Sequence, residues 1–193
     1  MATIVNQGTG AGGANTNVNG KTFEMKTENE TRLLATGFTR KPIPGKKGKN
    51  SYFLEKSTGL NKSVVYLTQG GLKQYFEHFF QKELFRNPDE AYLFRNGDQY
   101  ILKILEKKNQ NVEGSVDTKL LAGPMFIEEY KECLGDNFQV KYGFCISDFL
   151  KKIYKNESLK SKIWHKIFAK YDITILFGDE ENYYETLDAW ISS

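Results

Sequence analysis

The sequence predicts an α/β fold in which a mixed β-sheet is flanked by helices. Three observations lead there. Short strand-like runs alternate irregularly with amphipathic helical stretches, the pattern of an α/β fold with a mixed sheet. An Asn-Gly pair, Asn96-Gly97, stands between two apolar runs and signals a hairpin. The chain has 193 residues, 39% hydrophobic and 14% aromatic, enough for one domain with a sizeable core.

Each element follows in order. Residues 1–19 are rich in Gly, Asn and Thr and read as a mobile leader, leaving 20–193 as a single domain. Lys21 to Ala35 reads as a helix capped by Asn19 or Thr22 and stopped by Gly37. A basic Pro/Gly loop over 39–50 follows. SYFLEKS and SVVYLTQ form two strands joined by TGLN. Leu72 to Phe85 places Leu72, Tyr75, Phe76, Phe79, Phe80 and Leu84 near helical spacing, so its Phe content reads as core.

EAYLF and QYILKIL are the hairpin strands, and 115–133 holds a helix interrupted near Gly123-Pro124. FQVKYGFCI is a strand, Ser147 or Asp148 caps a helix, and Leu159 to Lys170 is another. ITILF is the last strand, and the acidic segment 180–190 is the final helix, with Tyr183, Tyr184 and Trp190 as core or dimer packing.

Composition excludes several classes. No apolar run approaches the roughly 20 residues of a membrane span. The N-terminus lacks a charged and then apolar signal pattern. Cys133 and Cys145 make neither a disulfide framework nor a zinc site, so the expectation is a cytoplasmic protein without structural metal. The glycine-rich start has no Lys-Ser/Thr sequel and is not a P-loop.

The net charge of +3 hides an asymmetry. Tyr171 to Ser193 carries six acids and no Lys or Arg, so the first 170 residues hold an excess of nine positive charges. Arg40, Lys41, Lys46, Lys47 and Lys49 concentrate charge in the 39–50 loop, and Lys151 to Lys170 holds seven Lys. A basic body suits a polyanion, although a solvated Lys-rich surface looks the same.

The chemistry sits in Asn87 to Gly114. With Asn96-Gly97 as a two-residue turn, Arg95 faces Asp98 and Asp89 falls opposite Ile104. Glu106 is then the diagonal neighbour of Asp89, at roughly 7–8 Å. Asp89, Glu106 and Lys108 share one face of the hairpin. Two carboxylates that close call for a cation, and oxygen donors without Cys or His favour Mg²⁺. Asp98 is excluded because eight residues of strand, roughly 26 Å at about 3.3 Å each, separate it from Glu106. ILKIL is apolar on both faces, so charges entering at its end need a purpose.

Pro88-Asp89, sixteen residues, then Glu106-Lys107-Lys108 resembles the PD-(D/E)XK nuclease signature, whose variable gap spans a hairpin. Asn109 to Leu120 resembles the region after the motif in a subset of type II restriction endonucleases and related viral nucleases. Asn15 to Glu24 is similar to the start of that subset. The resemblance covers roughly residues 13–145 and implies a restriction-endonuclease-like core. It implies Mg²⁺-dependent cleavage of DNA phosphodiesters. Asp89 and Glu106 would ligate the metal, and Lys108 would position or deprotonate the attacking water. Glu24 would approach from the N-terminal helix, and Gln110 would touch the scissile phosphate or the water.

The expectation is a type II site-specific endonuclease acting on double-stranded DNA, a homodimer matching the two-fold symmetry of a palindrome. The basic loop would be its DNA-binding arm, with Arg40 as a groove contact. The alternatives are a structure-selective repair or junction nuclease of the same fold, or a catalytically inactive DNA-binding module.

Overall fold

A computed structural model describes residues 22–60, 62–110 and 116–193. The expected leader over 1–19, residues 15–21 of the Asn15–Glu24 stretch and residues 111–115 of the Asn109–Leu120 stretch lie outside the described residues. Seven strands form one sheet in chain order: β1 (Thr39–Pro42), β2 (Tyr52–Gly59), β3 (Lys62–Thr68), β4 (Glu90–Asn96), β5 (Gln99–Lys108), β6 (Phe138–Ile146) and β7 (Ile173–Phe177). The strands run antiparallel from β1 to β5, and β5–β6 and β6–β7 are parallel. The sheet is therefore mixed: the first five strands connect by turns, one loop over 43–51 and the α3 segment, while the parallel neighbours are joined by helical crossovers.

Helices cover both faces. The front face of the sheet presents Val65, Leu67, Ala91, Leu93, Leu102, Ile104, Tyr142 and Phe144 to α3 (Gly71–Phe80), α5 (Gly123–Leu134) and α7 (Leu159–Lys170). α4 (Val116–Leu120) precedes α5, and α6 (Asp148–Lys155) precedes α7. The back face presents Leu54, Tyr66, Tyr92, Leu105, Cys145 and Leu176 to α1 (22–26), α2 (Glu30–Ala35) and α8 (Tyr183–Ser192). Tyr183, Leu187 and Trp190 are buried there, which gives the acidic helix its core role.

The central strand β5 alternates faces residue by residue, as its two-sided apolar pattern requires. Its back-facing Lys103 is buried. The Lys103 ammonium donates to the Trp190 carbonyl at 2.6 Å, capping the end of α8, where free carbonyls favour a cation.

Four expectations change. The helix expected over Lys21 to Ala35 is broken at 27–29. Asn29 is buried and its side chain is taken up by Tyr92 and Arg32, each at 2.6 Å, which no local propensity encodes. The helix expected to reach Phe85 stops at Phe80, where Gln81 adopts a left-handed backbone with φ 52°. Phe85 is consequently 65% exposed rather than core. The first four residues of the expected basic loop form the edge strand β1, anchored beyond it by buried Ile43.

The fourth change is the hairpin register. Asn96 pairs with Gln99 and Glu90 with Leu105, so the turn is Gly97-Asp98. Gly97 has φ 64° and Asp98 does not have a positive φ, the arrangement of a two-residue turn with glycine first. The slip from the expected pairing is two residues. A two-residue slip leaves every side chain on its original face, so the hydrophobic pattern cannot distinguish the two registers.

Candidate active site

Asp89 lies at the bend that leads into β4, after the buried Pro88. The paired ladder ends at Glu90 and Leu105, so Asp89 and Glu106 are the next residues beyond it on the two strands, and the Asp89 charge acts on Glu106. The register expected from sequence set Asp89 against Ile104 instead. The Lys107 amide donates to Asp89 Oδ2 at 2.6 Å, fixing that carboxylate to the neighbouring strand. Lys108, two residues on and on the same face, places Nζ 2.6 Å from Glu106 Oε2.

Glu106 and Lys108 are 16% and 20% exposed at their side chains, so this pair is half sheltered yet reachable. Burial raises the Glu106 carboxyl above its ordinary value; Lys108 and Arg86 oppose the rise, and Asp89 adds to it. Two aromatic hydroxyls, Tyr130 and Tyr142, are buried nearby. Burial raises both, and the Glu106 charge raises them further, so each stays a neutral phenol.

The site opens into a cleft of about 350 Å³, bounded by Phe85, Arg86 and Asn87 on one side and by Lys119 and Phe126 on the other. Arg86 stacks over Phe126 with its guanidinium carbon 4.0 Å from the ring centroid, and it pairs with Glu129 at 2.8 Å. The irregular segment that follows α3 carries Phe85 and Arg86 to this position. The one signal in the sequence for Arg86 is its place three residues before Asp89.

The donor set suits a hard cation. Mg²⁺ is held through one or two carboxylates while keeping waters and substrate oxygens; Glu106 lines the cleft, and the Asp89 carboxylate stands close enough for its charge to act on Glu106. Among the described residues no group of three or more His, Cys, Asp or Glu gathers to hold a metal. Any metal here would depend on the Asp89–Glu106 pair together with water or substrate.

The remaining expected site residues are placed as follows. Glu24 is exposed on α1, a helix anchored to the opposite face through Phe23. Gln110 is buried just past β5. Its amide donates to Ser147 Oγ at 3.1 Å and its carbonyl accepts from that hydroxyl at 2.9 Å, which ties it to the start of α6. In the basic stretch, Arg40 pairs with Glu30 and stacks on Tyr52, Lys41 pairs with Glu55 at 2.6 Å, and Lys46 pairs with Glu77 at 2.7 Å. Lys47 and Lys49 are exposed.

The registers place this stretch relative to the cleft. Leu54, Tyr66, Tyr92 and Lys103 lie in one row across the sheet. Two residues along, the row begins at Tyr52 and reaches Glu90 and Leu105, so the loop between β1 and β2 is at the same sheet end as Asp89 and Glu106. Three strand spacings separate β2 from β5, about 14–15 Å. The Gly97-Asp98 turn is at the opposite end, so Asp98 stays away from the two acids.

No helix among the described residues is long and apolar enough to cross a membrane. No protein-family model matches the chain, and neither the curated proteins nor the solved structures include a significant match to it.

Proposed function

We propose that this protein is a divalent-metal-dependent deoxyribonuclease that hydrolyses phosphodiester bonds of double-stranded DNA, with Asp89, Glu106 and Lys108 as its catalytic group. The observation that carries the proposal is the neighbourhood of Asp89, Glu106 and Lys108 at one end of a central strand, where Asp89 takes the Lys107 amide and Glu106 the Lys108 ammonium. This is the arrangement the PD-(D/E)XK resemblance implies, and a sheet of antiparallel strands followed by parallel ones is consistent with a restriction-endonuclease-like core.

The two carboxylates would hold Mg²⁺, with Glu106 fixed by Lys108 and Asp89 by the Lys107 amide. Bound Mg²⁺ would neutralise non-bridging phosphate oxygens, lower the pKa of water and stabilise the leaving oxygen. Lys108 orients the attacking water and adds positive charge where the pentacoordinate phosphorus develops negative charge. Arg86 and Lys119, bordering the same cleft, face the DNA backbone. Lys47 and Lys49, exposed at the same end of the sheet, extend that contact beyond the cleft. The acidic α8 packs on the far face, where DNA is not required.

The reading is a type II restriction endonuclease acting as a homodimer in the cytoplasm. Phe85 favours a second reading within the same chemistry. An aromatic ring 65% exposed at the lip of the cleft is a stacking surface for an unpaired base, as a structure-selective nuclease needs. Digestion of a sequenced plasmid and of a branched duplex, each with Mg²⁺ or EDTA, tests both. Discrete plasmid fragments support restriction, and cutting of the branched duplex alone supports the second reading. No Mg²⁺-dependent cutting of either would overturn the nuclease proposal.

A further inference from the structure

Behind the two acids, on the opposite face of the same strands, lies a buried polar network. Lys107 and Glu90 are 6% and 3% exposed at their side chains, and Lys107 Nζ is 2.6 Å from Glu90 Oε1. The ammonium also donates to the Thr27 carbonyl at 2.8 Å, in the break between α1 and α2. Tyr92 donates its hydroxyl to Glu90 Oε2 at 2.7 Å, and Asn29 Nδ2 donates to that hydroxyl at 2.6 Å. Asn29 Oδ1 accepts from Arg32 Nε at 2.6 Å, and both Arg32 terminal nitrogens reach Asp188 of α8 at 2.6 Å.

These contacts form one continuous chain from α8, through the broken N-terminal helix, to the ends of β4 and β5. Its last link is the Lys107 backbone amide on Asp89 Oδ2. Glu90 follows Asp89 directly, and Lys107 lies between Glu106 and Lys108. Fixing the back-facing pair therefore fixes the strand ends that carry the front-facing acids. Burial and the neighbouring Glu90 charge raise the Tyr92 hydroxyl well above its ordinary value, so it remains a donor to that carboxylate.

A buried ion pair is costly to desolvate, and an apolar pair of similar shape would serve packing at least as well. An ion pair here is explained by directional hydrogen bonds that hold two strand ends in one geometry. We infer that Lys107 and Glu90 are positioning residues, which hold Asp89 and Glu106 at the separation a divalent cation requires. The inference rests on the reading of Asp89 and Glu106 as a metal pair.

The test uses the full chain with Mn²⁺ as a probe for the oxygen donors, its free concentration followed by electron paramagnetic resonance. Lys107→Met alone leaves the Glu90 charge buried without its ion partner and is expected to be strongly destabilised. The double variant Lys107→Met/Glu90→Gln removes both charges. It is expected to melt close to the wild type yet bind Mn²⁺ about 10- to 100-fold more weakly, the usual effect of losing residues that orient metal ligands. Tyr92→Phe deletes one hydroxyl of the chain and should weaken Mn²⁺ in the same direction by a smaller factor.

A folded double variant with wild-type Mn²⁺ affinity would overturn the positioning role. If the double variant does not fold, unchanged affinity in Tyr92→Phe overturns it instead. A wild type whose Mn²⁺ binding is unaffected by Asp89→Ala overturns the metal reading itself, and the positioning role with it. That outcome is visible before any positioning variant is measured.

Discussion

Lys108 Nζ lies 2.6 Å from Glu106 Oε2, and both side chains come from the same face of β5, two residues apart. An acid and a base so close, half sheltered at the end of a central strand, stabilise each other while keeping opposite chemical roles. The carboxylate is free to hold a cation, and the ammonium stays beside the place where a phosphate would sit. Several tests follow from this relationship and from its surroundings.

Asp89→Ala and Glu106→Ala should each reduce Mg²⁺-dependent cleavage to background. Lys108→Ala should lower kcat by roughly 10²- to 10⁴-fold, the usual weight of a group that handles a proton in the transition state. Asp98→Ala, at the distant turn, should cut at the wild-type rate. Plasmid cleavage time courses at saturating Mg²⁺ decide the matter. Activity lost in Asp98→Ala and kept in Asp89→Ala would remove the proposed site.

Glu106→Gln should be more stable than the wild type at neutral pH, though inactive. Burial raises the Glu106 carboxyl, so between the ordinary carboxylate range and the raised value the folded state binds more protons than the unfolded one. Stability from this group therefore falls as pH rises through that window, and the cost persists above it. The gain in Glu106→Gln should vanish below the ordinary carboxylate range, where both forms are neutral. Thermal melts across pH check this, and a variant less stable than the wild type at neutral pH refutes it.

The same raised carboxyl predicts where activity is lost in acid. The ionised form of Glu106 is the one that holds a cation. At low free Mg²⁺ the acid limb of kcat/KM should therefore lie above the ordinary carboxylate range, and it should move down as free Mg²⁺ is raised, because a bound cation favours the carboxylate. A limb that lies within the ordinary range at low Mg²⁺, or that does not move with Mg²⁺, refutes this.

Arg86→Ala should weaken binding of duplex DNA in EDTA, where no cutting occurs, and lower the slope of log K against log salt by about one. Glu129→Gln should strengthen binding, because it releases Arg86 from its ion pair. Fluorescence anisotropy across a salt series measures both, and identical slopes for Arg86→Ala and wild type would place Arg86 outside the DNA contact.

Among the basic residues near β1, Lys47→Ala/Lys49→Ala should lower the same slope by about two. Arg40→Ala should change it less, because Glu30 already offsets the Arg40 charge. A larger loss in Arg40→Ala than in the lysine pair would show that Arg40 leaves Glu30 to meet the DNA.

The sequence alone determined which faces meet and which residues share one. Alternation along β4 and β5 put Asp89, Glu106 and Lys108 on a common side, because strand side chains repeat every two residues whatever the partner. It also gave the mixed α/β character, the interrupted helix at Gly123-Pro124 and the buried aromatics of α8, all of which follow from local periodicity and burial. Only the tertiary structure decided the register that pairs Glu90 with Leu105 and so brings Asp89 next to Glu106 at the strand ends, since a two-residue slip keeps the same faces and costs the pattern nothing. It alone broke the N-terminal helix at Asn29, whose side chain is claimed by Tyr92 from a distant strand. It alone took Phe85 out of the core and carried Arg86 into the cleft. A charge such as Lys107 looks like a solvated strand end in sequence, because its partners are Glu90 on the neighbouring strand and the Thr27 carbonyl in the break between α1 and α2, and long-range contacts leave no local periodicity to read.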